Sequence, residues 1–186
     1  IWATVKRLCK RWFVDAMSAM ALGLFSSLII GLILSQLGKI PYLGFLADFA
    51  EIISSTSPVV GAAIGAAIAS GLKAKPLVVF SSVVTGAFGY AAGGPVGAYV
   101  AALVGEEIGR LVANKTPVDI IVTPIVTIIT GCLAGQFVGP GIQSMMTGLG
   151  VIINAATELA PLPVGIVVSV IVGLVLTAPI SSAALC

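Results

Sequence analysis

The sequence has no histidine and very few charged side chains for its size. Its nine Lys or Arg and seven Asp or Glu residues lie in short clusters separated by long uncharged runs, and 59% of its residues are hydrophobic. A soluble domain cannot bury that much apolar surface, so the soluble globular classes are excluded. Runs of about 20 apolar residues cross a bilayer as helices. The composition therefore predicts an all-α, polytopic membrane helix bundle in contact with the lipid bilayer.

The same shortages argue against catalysis. The three cysteines, Cys9, Cys132 and Cys186, are widely spaced and form no CxxC pair, and no histidine is present to complete a metal or nucleophile site. The chain also has no GxxxxGK[ST] loop and no acidic cluster that would hold a metal beside phosphates. The sequence predicts a protein that is not an enzyme, uses no cofactor or metal, and does not bind nucleic acid.

Charge and glycine placement divide the chain into spans. Four basic residues, Lys6, Arg7, Lys10 and Arg11, precede an apolar run at 16–37, and two lysines at 73–75 follow a second run at 59–72. The positive-inside rule predicts a cytoplasmic N-terminus, residues 1–15, with the 73–75 loop on the same side. Residues 38–57 mix polar and apolar side chains, as in a helix at the membrane interface. Gly61, Gly65 and Ala69 recur every four residues and predict a smooth face for close helix packing.

Two glycine-proline motifs predict interruptions. Gly93-Gly94-Pro95 lies within an uncharged run, 77–104, that is too long for one upright span, so we expect a broken or re-entrant helix there. Gly139-Pro140-Gly141 separates two apolar runs and predicts a turn. Glu106 and Arg110, one helical turn apart, predict an ordinary surface ion pair.

An internal repeat indicates a larger architecture. Six residues between 23 and 34 recur between 165 and 176, each 142 positions later (165−23). Carriers are often built from repeats whose broken helices meet near the solute site. We therefore expect residues 1–186 to be a single membrane domain, a segment of a longer carrier in which a second repeat starts near residue 165.

Candidate solute-binding residues are polar groups and broken backbone within apolar surroundings. Asn154 and Glu158 share one helix face, and a carboxylate at membrane depth usually faces a cavity or a partner. The alternative is that Glu158 marks a helix end in the interface. Unwound backbone can bind a solute directly, although a mere kink is the competing interpretation. The predicted substrate-binding residues are Asn154, Glu158, Gly93, Gly94, Pro95, Ser181 and Ser182.

Five segments carry a resemblance to a known family. The chain resembles the IIC-type membrane proteins of the bacterial sugar phosphotransferase system, most closely the branch described as toxin regulators, through MALGLFSSLIIG at 20–31, GGPVGA at 93–98, VDIIVTP at 118–124, NAATE at 154–158 and APISSAA at 178–184. The resemblance runs in order through nearly the whole chain. Members of the family are nearly twice as long, so the chain resembles their N-terminal half.

The resemblance implies a function. Such a subunit is a multi-pass protein of the bacterial cytoplasmic (inner) membrane, forms a homodimer, and binds and translocates a sugar or polyol. A cytoplasmic phosphocarrier subunit then performs the phosphoryl transfer. A histidine and a glutamate often hold the sugar in the family, and this sequence has no histidine. The alternative is a membrane sensor or regulator that binds a solute without transporting it, as the name of the branch suggests.

Overall fold

The computed structural model describes the backbone of residues 2–159 and 161–184, and the side chains of 5–158, 162–171, 173 and 174. Helices cover 87% of the protein, and no strand occurs in the ranges described. This confirms the all-α class. The helices are α1 (2–37), α2 (Phe45–Ile52), α3 (Pro58–Gly71), α4 (Pro76–Val112), α5 (Asp119–Leu159) and α6 (Pro161–Ala184).

Three of these helices are long and apolar enough to cross a membrane by length and composition: Val5–Leu37, Pro76–Val112 and Asp119–Glu158. Two shorter apolar helices, Pro58–Gly71 and Leu162–Ile171, accompany them. The predicted interfacial segment at 38–57 contains the short helix α2. The described chain is therefore a membrane helix bundle, as its composition predicts.

Helix α1 contains two wider, π-helical turns, Arg11–Ala16 and Phe25–Ile29. In the second, the hydroxyls of Ser26 and Ser27 donate to the carbonyl of Gly23 at 3.1 and 2.7 Å. Such back-bonding competes with the regular ladder and often bends a helix. The first turn begins at Arg11, and π-helical turns occur frequently at functional sites.

Helix α4 is folded back on itself at Gly93 and Gly94. Gly93 has φ −153° and ψ 25°, and Gly94 has φ 63° and ψ −154°, a conformation that side chains rarely permit. The Nζ of Lys75 donates to the carbonyl of Ala113 at 3.2 Å. In a straight helix those residues would lie about 57 Å apart. Helix α4 is therefore a hairpin with arms 76–92 and 95–112.

The interruption predicted at Gly93-Gly94-Pro95 is thus confirmed as a change in backbone direction. Pro95 suits the first turn of the second arm, where its missing N–H costs nothing. Each arm is about 26 Å long, slightly less than the hydrocarbon core of a bilayer. The depth of the turn within a membrane stays a prediction.

The small-residue face of α3 packs against the first arm of the hairpin. A Cβ on Gly61 would meet Gly86 and Tyr90, and one on Gly65 would meet the carbonyl of Ser82. Ala69 is fully buried. The face predicted from the four-residue spacing is confirmed, because only small residues allow two backbones this close.

The turn predicted at Gly139-Pro140-Gly141 is wrong. Helix α5 runs through Pro124 and Pro140 over 41 residues, a length of about 61 Å. Gly94 has the only positive φ among the glycines that the structure describes. A proline removes one ladder hydrogen bond, a loss that helices in membranes tolerate. The glycine-proline motif at 93–95 breaks α4, whereas the motif at 139–141 does not break α5.

The two basic clusters lie at one end of the bundle. Helices α1 and α3 are antiparallel, since Gly23 packs on Ala63 and Ile64 while a Cβ on Gly71 would lie 2.5 Å from the Cβ of Ala19. Residues 6–11 and 73–75 therefore share one end, as predicted; that this end is cytoplasmic stays a prediction. We call it the basic end.

Candidate functional site

The hairpin turn lies against the middle of α5. A Cβ on Gly93 would be 3.0 Å from the Cα of Gly139. One helical turn before Gly93, the Tyr90 hydroxyl donates to the carbonyl of Ser55 at 2.7 Å, in the loop that enters α3. The turn is thus fixed by contacts on two sides, at the end of the bundle opposite the basic end.

A cavity of mixed polar and apolar lining lies at the same end. Its volume is about 330 Å³, and it is lined by Gly31, Leu32, Ser35, Ala47, Ala50, Glu51, Ile53, Ser54 and Ser55. Small-molecule sites typically occupy about 300–1,000 Å³. Three serines and one carboxylate in a cavity of this size can exchange hydrogen bonds with a hydroxylated molecule. Ser55, which receives the Tyr90 hydroxyl, connects this cavity with the base of the hairpin turn.

Asn154 and Glu158 lie far from the hairpin turn. Both side chains are exposed on the distal part of α5, and Asn154 is about 22 Å along the helix from Gly139. The neighbouring cavity, about 350 Å³, is lined by Ile152, Ile153, Ala156, Pro163, Val164, Val167 and Val168, all apolar. The structure therefore does not bring Asn154 and Glu158 together with Gly93-Gly94-Pro95.

Two further predicted residues, Ser181 and Ser182, belong to helix α6. Their side chains are outside the described residues. The possible metal ligands in the searched part of the chain form no group of three or more.

A cluster of charged side chains at the basic end was not predicted. Arg11 bridges two carboxylates: its Nη2 lies 2.9 Å from Oε1 of Glu106, and its Nε lies 2.8 Å from Oε1 of Glu107. The indole N–H of Trp12 also donates to Glu107, at 3.1 Å, and Nη2 of Arg110 lies 2.7 Å from Glu107 Oε2. We call these five residues the Arg11 cluster.

The surface ion pair predicted between Glu106 and Arg110 is wrong. Glu106 is fully buried and binds Arg11, whereas Arg110 is 40% exposed and pairs with Glu107. The reason is helical phase. Glu106 follows Ala98 and Ala102 on the face that packs into the core, so its carboxylate points inward while the next residue reaches the surface.

The first π-helical turn supplies the partner. Arg11 and Trp12 open this turn, and the hydroxyl of Tyr99, from the second arm, donates to the carbonyl of Trp12 at 2.7 Å. Arg11 is 95 residues from Glu106 in the sequence. The only available signal in the sequence was that Glu106 and Glu107 follow the long uncharged run 77–104, while the basic segment 6–11 precedes the apolar run 16–37. Their pairing depends on how α1 packs against α4.

One atom of the cluster has no hydrogen-bond partner among the described residues. Glu106 Oε2 is buried and unpartnered, although Oε1 is bound by Arg11. Glu107, by contrast, has donors on both oxygens. A buried carboxylate with one free oxygen is costly, because its lost hydration is only partly replaced.

Comparison with known proteins identifies the family. The family described as "Phosphotransferase system, EIIC" matches residues 14–186, from the first π-helical turn to the last residue given. Searches of curated proteins and of solved structures found no match. The match covers most of the chain and includes α2 to α6. The chain therefore belongs to the phosphotransferase system EIIC family, whose members are the membrane-embedded transporter subunits that work with the other components of that system.

Proposed function

We propose that the chain binds a sugar or polyol and carries it across the cytoplasmic membrane of a bacterium. Membership of the EIIC family supports this reading more strongly than any other observation. A cytoplasmic phosphocarrier subunit performs the phosphoryl transfer, and the membrane chain provides only binding and passage. The cavity between α1 and α2, with its serines and Glu51, offers room and hydrogen-bonding groups for a hydroxylated solute.

The proposed solute site also uses the residues predicted from the sequence. Gly93 and Gly94 have non-helical dihedral angles, and backbone groups around Gly93, Gly94 and Pro95 would bind hydroxyls of the solute. Asn154 and Glu158 are acceptors for the same solute at another stage of its passage, and Ser181 and Ser182 are secondary contacts. A carboxylate facing lipid is costly, so the exposed face with Glu158 requires a polar cover in the assembled protein. A second copy of the chain, in a homodimer, is the cover we propose.

Uptake of labelled sugars and polyols tests the proposal. Cells with and without the full-length protein are compared, each with and without the phosphocarrier enzymes. We expect one or a few solutes to accumulate as phosphates only when both are present. Saturable solute binding to purified protein without any uptake would instead support the sensor or regulator. Absence of both binding and uptake for the panel would contradict both functions for these solutes.

Glu158→Gln tests the distal part of the site. A hydrogen bond from a hydroxyl to a carboxylate contributes roughly 1.5–3 kcal/mol. We therefore expect solute affinity to fall about ten- to a hundredfold, while the protein assembles normally. Solute titration of the purified full-length variant measures the change.

The matched control is Asp48→Asn, which removes an exposed carboxylate from α2. It should leave the affinity unchanged. If Glu158→Gln binds solute as well as the unsubstituted protein, Glu158 is an interfacial residue and the distal site is misplaced.

A further inference from the structure

The Arg11 cluster joins α1 to the second arm of α4 by ion pairs. Binding of one proton would change the net charge of this cluster. It contains two guanidinium and two carboxylate groups, so its formal charge is zero with both glutamates ionised. Arg11 belongs to α1 and the two glutamates belong to the second arm of α4. Together with the hydrogen bond from the Tyr99 hydroxyl to the carbonyl of Trp12, these contacts hold the basic N-terminal segment on the hairpin.

The two glutamates differ in how completely they are satisfied. Glu107 accepts from Arg11, Trp12 and Arg110 and is partly exposed, so its negative charge is well supported. Glu106 is fully buried, and among the described residues it accepts from Arg11 alone and its Oε2 has no partner. An ionised carboxylate in that position loses hydration at one oxygen without replacement. Glu106 is therefore the member of the pair that gains most from binding a proton.

The surroundings of Glu106 offer little other charge. Helix α3, which packs against the first arm, has no titratable residue. On α5, Thr127 packs on Gly105 and Gly109, and its hydroxyl donates to the backbone carbonyl of Thr123. The hydroxyl of Thr123 donates to Asp119 at the start of that helix. The hydroxyl of Tyr99 donates its hydrogen bond to the carbonyl of Trp12. The charged groups that govern Glu106 are thus Arg11, Glu107 and Arg110.

We propose that Glu106 is a proton-binding site whose occupancy controls the contact between α1 and α4. The proton passes from a hydronium ion at the basic end to Oε2, where an O–H bond forms and a water molecule is left. The formal charge of the cluster rises from zero to +1. The bond from Arg11 to Oε1 then joins a cation to a neutral carboxyl, so it is weakened by the loss of the attraction between opposite charges. Protonation therefore loosens α1 from the hairpin.

A proton fits this position better than a metal cation. Sodium at Oε2 would need several further oxygen ligands, whereas a proton forms a single O–H bond and needs no extra space. An anion would be repelled by the carboxylate. The proposal does not depend on which solute the protein carries, so it stands or falls separately from the proposed transport.

Distance measurements between two spin labels test the proposal. One label is placed on the native, exposed Cys9 and the other on a cysteine replacing Lys115, with Cys132 and Cys186 replaced by alanine. Full-length protein in lipid nanodiscs is measured at acidic and at neutral pH. We expect the population of molecules with the longer distance, relative to those with the shorter distance, to rise about tenfold on acidification, a change of roughly 1.4 kcal/mol. Glu106→Gln should show the acidic distribution at both pH values.

Two controls separate this mechanism from others. Glu107→Gln should loosen the contact at both pH values but keep a pH response, because Glu106 still binds its proton. A response that follows sodium concentration at constant pH would overturn the proposal in favour of a metal cation. A pH response that persists in Glu106→Gln would also overturn it. If Glu106→Gln does not assemble, the measurement on the protein with native Glu106 is the test. An identical distance distribution at acidic and neutral pH would contradict the proposal.

Discussion

Arg11→Met should lower the free energy of unfolding by about 3–5 kcal/mol, because removing one partner leaves a buried charge without compensation. Glu106 is fully buried, and Arg11 is its only hydrogen-bond donor among the described residues. The substitution also takes one of three donors from Glu107. Thermal or denaturant unfolding of the full-length protein in nanodiscs measures the loss.

The control for Arg11→Met is Arg7→Met, which removes an exposed guanidinium one helical turn earlier. Its effect should be within about 0.5 kcal/mol. The double variant Arg11→Met/Glu106→Gln should regain much of the lost stability, because a buried carboxamide needs no counter-charge. Equal losses for Arg7→Met and Arg11→Met would contradict the buried bridge.

Gly86→Ala should destabilise the protein by about 3 kcal/mol, at the upper end of the usual range for overpacking. A Cβ at position 86 would meet the carbonyl of Gly61 and would lie 2.7 Å from the Cα of Gly65. Both contacts are with backbone, which cannot rotate away as a side chain does. Helix α3 would have to move off the first arm of the hairpin and open the core that contains Ile64 and Ile68. Unfolding in nanodiscs also measures this effect.

Gly150→Ala is the matched control for Gly86→Ala. Gly150 is within α5, and a Cβ there has no neighbour within 4 Å in the part of the chain that the structure describes. Because alanine is the better helix former, this variant should be unchanged or more stable by as much as about 1 kcal/mol. If both alanine variants behave alike, the close approach of α3 and α4 is absent from the protein in its membrane.

Local features were predictable where one segment of sequence contains the whole cause. Gly61, Gly65 and Ala69 share a helix face whatever they pack on, and the face proved to be a helix contact. Gly93 and Gly94 lack the side chains that would forbid the conformation found there. The match between 23–34 and 165–176 has a local counterpart as well. Ser27 donates to Gly23 and Ser169 to Gly165, both at 2.7 Å, while the second repeat itself stays a prediction.

The same kind of motif failed where neighbouring helices decide the outcome. Gly139-Pro140-Gly141 has the composition of the hairpin turn, yet it is helical. Gly89 and Gly97 allow the two arms of α4 to touch, so folding back at Gly93 gains a close contact along both arms. Next to Pro140, a Cβ on Gly141 would meet no described atom within 4 Å, so no comparable contact stabilises a turn there.

The sequence by itself determined that this is a helical membrane protein, that its two basic clusters share one end of the bundle, and which family it resembles. These properties follow from hydropathy, charge position and residue size, each of which acts over a few neighbouring residues. Only the tertiary structure decided that α4 is a hairpin with touching arms and that Arg11 binds Glu106 across 95 residues. The partner of a buried charge depends on which helices become neighbours, and that is a property of the packed bundle as a whole.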